Sequence, residues 1–430
     1  MSDQLLAAGV VIVGAGHAGF QCADSLRRNG FDGRIVLVNG EADLPYQRPP
    51  LSKGHLLSPA GEEALWFRTA NWFDDQNITL LNHTRVESIQ NQRRQVSLSN
   101  GEPLDYQWLV LAPGARLRTL ELPGANLDGV CYVKSMSDIR TIARWLPDTQ
   151  QIVVVGGSFI ALEFAATAAK LDKHVTVLVR GQRLMNNAVD DLLADYMLQQ
   201  HRAHGVDIRF GTCLEAINGE QGRVASVLLN NGNRLPAQML VAGIGVEIDT
   251  DLAQQAGLAC GERAAGEPEG IRVDRQCLTS DNRIFAAGDA VISPNPYGNG
   301  LTRLESVQNA VDQAKLIATV ITAKSTHDTP NEQAEAVQPQ YDSVPWFWSD
   351  QYDIKLQMAG LFNGYDQRVQ RGDTATGKFS TCYLRDGVLI AVHSVNKPAD
   401  HMQARKLVAA RIAPDIALLA DENIKLNSLF

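Results

Sequence analysis

Val10–Leu26 reads VVIVGAGHAGFQCADSL. Four β-branched residues lead into a complete G-x-G-x-x-G, Gly14, Gly16 and Gly19, and an alanine-containing amphipathic stretch follows. That order predicts a buried parallel strand, a glycine turn and a helix. The first glycine permits the tight turn, the second lets a pyrophosphate approach the backbone, and the third lets helix lie close to strand. The helix N-terminus then offers amides and a partial positive charge to a diphosphate. Arg34–Asn39, RIVLVN, supplies the next strand, so one βαβ unit runs from Val10 to Val38. A ribose-binding side chain is expected at the end of that strand. Glu41, 22 residues after Gly19, is the first candidate, with Asn39 in reserve.

A second strand–turn–helix begins about 142 residues later, at Ile152–Ala166, IVVVGGSFIALEFAA. Its turn, Gly156-Gly157-Ser158-Phe159-Ile160-Ala161, puts Ser and Ala where the second and third glycines belong. Both are small, so a phosphate can still approach. Two such units in tandem predict two dinucleotides on one polypeptide, a flavin and a nicotinamide. The next strand ends VTVLVRGQR, with Val179-Arg180 and then Arg183. A carboxylate there would bind the ribose hydroxyls of NADH, whereas an arginine accommodates the 2′-phosphate of NADPH. The sequence leaves NADH or NADPH open.

Net charge is −9, which disfavours generic nucleic-acid binding. No apolar run approaches a membrane span. MSDQLL lacks a basic leader segment, so a cytoplasmic location is expected. The six cysteines, Cys22, Cys131, Cys213, Cys260, Cys277 and Cys382, are scattered, with no CxxC and no metal-ligand cluster.

Along the chain, Tyr106–Ala115, YQWLVLAPGA, reads as a further strand, and RVDRQCLTSDNRIFAAGDA from Arg272 as a strand ending at AAGD. A long helix pattern covers Leu304–Ala323. Ser325–Ser343 turns polar and proline-containing and reads as a linker. Aromatic and alternating segments follow, so the expected organisation is α/β: an FAD-binding domain from 1–117 and 247–325, an NAD(P)-binding domain from 118–246, and a C-terminal α+β domain from 326–430.

With VIVGAGHAG, LPYQRPPLSK, LVLAPGA, GGSFIALE, TSDNRIFAAGD, RLESVQNA, PWFWSDQY and VNKPAD, the chain resembles the oxygenase-coupled ferredoxin reductases nearly end to end. The resemblance implies two Rossmann-like, glutathione-reductase-like domains and an FAD cofactor. It implies that Asp289 accepts a hydrogen bond from the ribityl chain, and that Arg48 and Lys53 face the flavin. Lys53 would stand near the ring nitrogen that accepts hydride, paired with Glu163. Ala15, Val86 and Val307 match backbone-type FAD contacts, Lys134 matches a position usually held by Arg, and Trp348 would shield the flavin edge. The nicotinamide-side set is Gly156, Gly157, Ser158, Ile160, Glu163, Arg180, Arg183 and Gly245. Two departures stand out. Pro113 replaces the usual Thr of LVLATGA, and Val179 replaces the acidic residue of NADH-selective members.

The expected activity is electron transfer from NADH or NADPH through FAD to a two-iron two-sulfur ferredoxin or a rubredoxin, by a monomer or homodimer. Disulfide reductases carry a CxxxxC pair after the ribose-binding strand; Leu44–Leu57 contains no cysteine, which excludes a thiol relay. Electron exit is expected near Trp348, with Lys315, Lys397 and Arg405 as candidate docking cations. The alternative is a signalling flavoprotein resembling apoptosis-inducing factor.

Overall fold

The strands of the two parallel sheets are, in chain order, β1 (Val10–Val13), β2 (Ile35–Val38), β3 (Ile78–Leu81), β4 (Trp108–Leu111), β5 (Val130–Tyr132), β6 (Gln151–Val155), β7 (His174–Val179), β8 (Asp207–Phe210), β9 (Met239–Ala242) and β10 (Ile284–Ala286). They are taken from a computed structural model that describes residues 9–57, 61–186, 188–298, 300–326 and 339–429. The first sheet has the order β10-β4-β1-β2-β3 and the second β8-β7-β6-β9-β5. In each, the fingerprint strand is central. Val10 of β1 pairs with Ile35 and Trp108, and Ile152 of β6 pairs with Val175 and Met239, all in parallel. A strand covered on both faces must be apolar throughout, and all four β1 residues are buried.

Strand order reverses beside β1 and again beside β6. A crevice opens there at the carboxyl ends of the strands. α1 (His17–Arg28) and α2 (Phe159–Lys170) start from those two crevices, and α3 (Asp191–Ala203) follows β7. The glycines of the first turn are fixed by contact. A Cβ on Gly14, at φ +97°, would meet the Ala112 carbonyl at 2.2 Å, and one on Gly19 would meet the Gly14 carbonyl at 1.8 Å. Helix α4 (Val307–Thr326) runs back alongside α1.

The C-terminal sheet is wholly antiparallel: β11 (Trp346–Gln351), β12 (Ile354–Gly360), β13 (Gln367–Asp373), β14 (Lys378–Arg385) and β15 (Val388–Val395), in the order β11-β12-β15-β14-β13. Helix α5 (Pro398–Ala409) covers it through Ala404, Leu407 and Val408, against Val369, Leu384 and Val392. Buried Arg371 reaches Asp400 and gathers four backbone carbonyls between Leu419 and Ile424, tying the final segment to the sheet.

Three expectations about extent are corrected. The long helix starts at Val307, not Leu304, because the Ser306 hydroxyl accepts from the Asn309 amide and caps it. The Tyr106–Ala115 strand is regular only over Trp108–Leu111, since Pro113 has no N–H to continue the ladder. The linker begins after the helix, which includes Ser325 and Thr326; 327–338 lie outside the described residues, and 339–343 have no regular structure.

Candidate active site

The two crevices share one cleft of about 680 Å³, within the range of ~300–1,000 Å³ usual for small-molecule sites. Gly14, Ala15 and Gly16 form its first wall. Gly16 stands at the N-cap of α1 with no side-chain cap, and a Cβ built on it would meet nothing within 4 Å. Open space above uncapped helical amides is what a diphosphate requires. Gly19 lies beneath the turn and off the cleft wall, where it serves packing.

Glu41 and Asn39 also line the cleft, in different states. Asn39 is spent on the turn: its Nδ2 donates to the Asp43 carbonyl at 2.7 Å and to Asn82 Oδ1 at 2.9 Å, while its Oδ1 accepts from the Glu41 amide at 3.2 Å. Glu41 is clamped by Arg48 Nη2 on Oε1 and by the Tyr46 hydroxyl on Oε2, each at 2.6 Å. Burial opposes the Glu41 charge most strongly, yet Arg48, Tyr46 and Lys134 hold the carboxyl below its ordinary value. Arg48 Nη1 also donates to the Lys134 carbonyl at 3.0 Å, so this cluster closes one end of the cleft. Burial, followed by Arg48, lowers the Lys134 amine.

Asp289 faces the same space and makes no hydrogen bond among the described residues. Burial and then Glu305 push its carboxyl up to about 6, against Lys134, Arg48 and Arg303. A ligand hydroxyl would supply the missing donor, so the residues fit the ribityl and diphosphate groups of FAD. Val86 and Val307 complete this part of the wall, as does Pro113, which offers no amide.

At the junction of the crevices, Lys53 Nζ lies 3.2 Å from Glu163 Oε1 and 5.7 Å from the centre of the Trp348 ring. Glu163 is 3% exposed. Burial raises its pKa, and Lys53, Ser349 and Ser52 oppose the rise. Ser52 Oγ donates to Oε2 and Ser349 Oγ to Oε1, both at 2.6 Å. The cleft therefore holds a cation fixed by a carboxylate that accepts from three donors, beside an aromatic wall. Tyr46, Ser52 and Ser349 were absent from the expected set. The first two lie within LPYQRPPLSK, close to Arg48 and Lys53; Ser349 lies within PWFWSDQY next to Trp348.

On the nicotinamide side, Ser158, Ile160 and Gly245 line the cleft. Ser158 is the N-cap of α2 and its hydroxyl donates to the Gly243 carbonyl at 3.3 Å. Gly156 and Gly157 sit under the turn, off the wall. Arg180 is exposed and Arg183 half-buried, both beyond the cleft on the segment after β7; among the described residues neither forms an ion pair, and Arg183 donates to Asn186 Oδ1 at 3.3 Å. Val179 is buried, so the strand end carries no carboxylate.

Of the expected docking cations, Lys397 pairs with Glu422 at 2.9 Å and Lys315 lies 4.0 Å from Asp312. Arg405 stands over the Trp346 ring at 5.2 Å. No described helix is long and apolar enough to cross a membrane, and the described residues contain no metal-binding group of His, Cys, Asp or Glu.

Residues 8–314 match the family model described as pyridine nucleotide-disulphide oxidoreductase, and 346–430 match one described as reductase C-terminal. Rhodocoxin reductase of Rhodococcus erythropolis is 42% identical over 419 residues, covering 97% of this chain and 93% of that protein. The solved ferredoxin reductase for the CYP199A2 system of Rhodopseudomonas palustris superposes with a TM-score of 0.90 at 39% identity, over 98% of this chain and 99% of that one. The covalent putidaredoxin reductase–putidaredoxin complex gives a TM-score of 0.90 at 36% identity, over 99% and 98%. The chain belongs to the pyridine nucleotide-disulphide oxidoreductase family, among its ferredoxin reductases.

Proposed function

We propose that this protein oxidises NAD(P)H and passes the electrons, through FAD, to a small iron–sulfur protein that feeds an oxygenase. The observation that carries this is the Lys53–Glu163 pair in a cleft shared by both glycine turns, next to Trp348. FAD would be held by the Gly14–Gly16 turn, Glu41 and Asp289, and when bound it supplies the exchange between two-electron and one-electron chemistry. The Lys53 ammonium favours electron density arriving in the cleft, and Glu163 keeps that ammonium in place. The turn at Gly243–Gly245, which lines the cleft, would with α2 orient the nicotinamide dinucleotide.

The division of labour proposed is that 1–117 with 247–325 hold FAD, 118–246 hold the nicotinamide, and 326–430 shape the exit for electrons. The distribution of strands between the two parallel sheets supports it. A shallower depression shared by Lys53, Trp348 and Asp350 supports an exit beside Trp348. The CxxxxC pair of disulfide reductases has no counterpart, since Leu44–Leu57 contains no cysteine, and four of the six cysteines of the chain are buried.

Stopped-flow mixing tests the reading. NADPH or NADH should bleach the bound flavin, and added two-iron two-sulfur ferredoxin should restore its colour over repeated turnovers. A long-lived charge-transfer complex with no ferredoxin reduction would instead favour a signalling flavoprotein like apoptosis-inducing factor.

A further inference from the structure

Strand β11 carries two polar residues on its covered face, Ser349 and Gln351, only 1% and 2% exposed. Side chains placed there must be paired. Ser349 Oγ has a single proton, and it goes to Glu163 Oε1 at 2.6 Å. Gln351 Nε2 therefore donates to Ser349 Oγ, at 3.1 Å, which turns Gln351 Oε1 toward His201 Nε2 at 2.8 Å. An amide oxygen only accepts, so His201 carries its proton on Nε2 and its Nδ1 accepts from the Tyr352 hydroxyl at 2.9 Å. Every donor in the row points the same way, toward Glu163. Aligned donors polarise one another, so the row strengthens the last bond.

The outer end is fixed with equal care. Tyr352 opens the two-residue loop between β11 and β12 at φ +58°, a conformation side chains rarely adopt. Its ring stacks on His204 with centroids 3.7 Å apart and planes 11° apart, and its carbonyl accepts from Lys170 Nζ at 2.7 Å. His201 belongs to α3, His204 is the C-cap of α3, and Lys170 belongs to α2. Burial pushes His201 down to about 4, so it stays neutral with one ring proton at neutral pH. Lys53 is the charged group that faces Glu163; the other neighbours, Ser52 and Ser349, are neutral donors.

We propose that Tyr352, His201, Gln351 and Ser349 form a positioning row that keeps the buried Glu163 ionised and thereby holds the Lys53 ammonium in the cleft. The row makes the C-terminal sheet and α3 part of the machinery that sets the flavin environment. This inference rests on the reading that Lys53 and Glu163 face the flavin.

The test uses the flavin-loaded protein and the variants Ser349→Ala, His201→Leu, His201→Gln and Glu163→Gln. The first readout is the infrared band of a protonated carboxyl in protein labelled at its glutamate side chains. Wild type should show no such band from Glu163 at neutral pH. Ser349→Ala should show one that disappears when Glu163→Gln is added. The second readout is anaerobic flavin reduction by NAD(P)H. Its limiting rate should fall about tenfold or more in Ser349→Ala, the loss expected for one charge-assisted bond, with nicotinamide affinity unchanged within about twofold. His201→Leu should move both readouts in the same direction, and His201→Gln, which restores a donor, should recover them. Unchanged bands and rates in folded, flavin-replete variants would overturn the proposal, as would a His201→Gln protein as impaired as His201→Leu. If His201→Leu does not fold, Ser349→Ala decides alone. The infrared readout needs no electron acceptor, so failure to reduce any ferredoxin would count against the proposed function and leave this test standing.

Discussion

Replacing Arg180 and Arg183 by alanine tests the nicotinamide preference at its structural source. β7 ends on buried Val179, so the ribose of a bound dinucleotide would meet no carboxylate there. The two arginines that follow form no ion pair among the described residues, leaving their guanidinium donors available for a phosphate. Hydrogen bonds to charged groups contribute about 1.5–3 kcal/mol each. Arg180 is exposed and Arg183 only half-buried, so the lower end applies, about 1.5 kcal/mol or roughly tenfold per arginine. The double variant should lose about 10²-fold in kcat/KM for NADPH while kcat/KM for NADH moves by about threefold or less. Val179→Glu should do the converse, raising NADH efficiency and lowering that of NADPH, because a carboxylate binds ribose hydroxyls and repels a 2′-phosphate. The assay is steady-state reduction of ferricyanide at fixed ionic strength, supported by the affinity for 2′,5′-ADP. Equal losses with both nucleotides would refute the reasoning, and so would a wild-type protein that already prefers NADH tenfold.

Asp289→Ala should weaken FAD retention by about tenfold, the loss of one charge-assisted bond, measured by flavin released on dilution; an unchanged affinity would remove Asp289 from the site. Arg405→Glu should slow ferredoxin-dependent turnover more at low salt than at high salt and spare ferricyanide reduction; equal loss in both assays would show that Arg405 serves the fold through Trp346 instead. For acid stability the sign follows from the buried histidines. His17, His201, His393 and His401 are all lowered from 6.5 to about 4, chiefly by burial. Between those values the unfolded chain takes up protons that the folded chain refuses, so stability should fall as pH drops from about 6.5 to about 4. Asp289, raised to about 6, works the other way: its contribution is complete below the ordinary carboxylate value and lost as pH rises through about 6. Thermal unfolding of His201→Gln should fall less steeply with acid than wild type, and superposable profiles would contradict this.

What the sequence revealed was what is written contiguously along it. Val10–Gly19 carries strand, turn and helix start in ten residues; Gly14 and Gly19 stand where a Cβ would clash, and Gly16 stands below open space. Lys53 and Asp289 were legible because each lies in a motif with its neighbours. What was not legible are pairings between distant elements. Nothing in the local text says that Ser349 reaches Glu163, 186 residues away, or that Arg48 and Tyr46 would take the two oxygens of Glu41. Glu41 is the first ribose candidate and Asn39 the reserve in the sequence, but nothing in the local sequence says that the turn uses up the amide of Asn39. The start of α4 differs for a local reason: Leu304 fits the apolar period, but the Ser306 cap sets where helical geometry begins.

The second turn shows why a degenerate fingerprint can satisfy the same physics. In the first turn, Gly19 is forced because its missing Cβ would strike the Gly14 carbonyl at 1.8 Å. The equivalent residue of the second turn is Ala161, whose Cβ is present. Room for it comes from across the crevice: a Cβ on Gly243, just after β9, would stand 2.8 Å from the Ala161 Cβ. Close approach of α2 to the end of β9 is thus a property of the pair 161 and 243, with the glycine on the side of the sheet. Gly156 remains fixed, since its own Cβ would meet the Gly243 carbonyl at 2.3 Å, as that of Gly14 would meet Ala112. A fingerprint read along one strand scores Ala161 as a defect, whereas one read across the crevice scores 161 and 243 together as intact. The two turns thus meet different steric demands: Gly19 must clear the Gly14 carbonyl of its own turn, whereas Ala161 needs a residue without a Cβ at 243 opposite it.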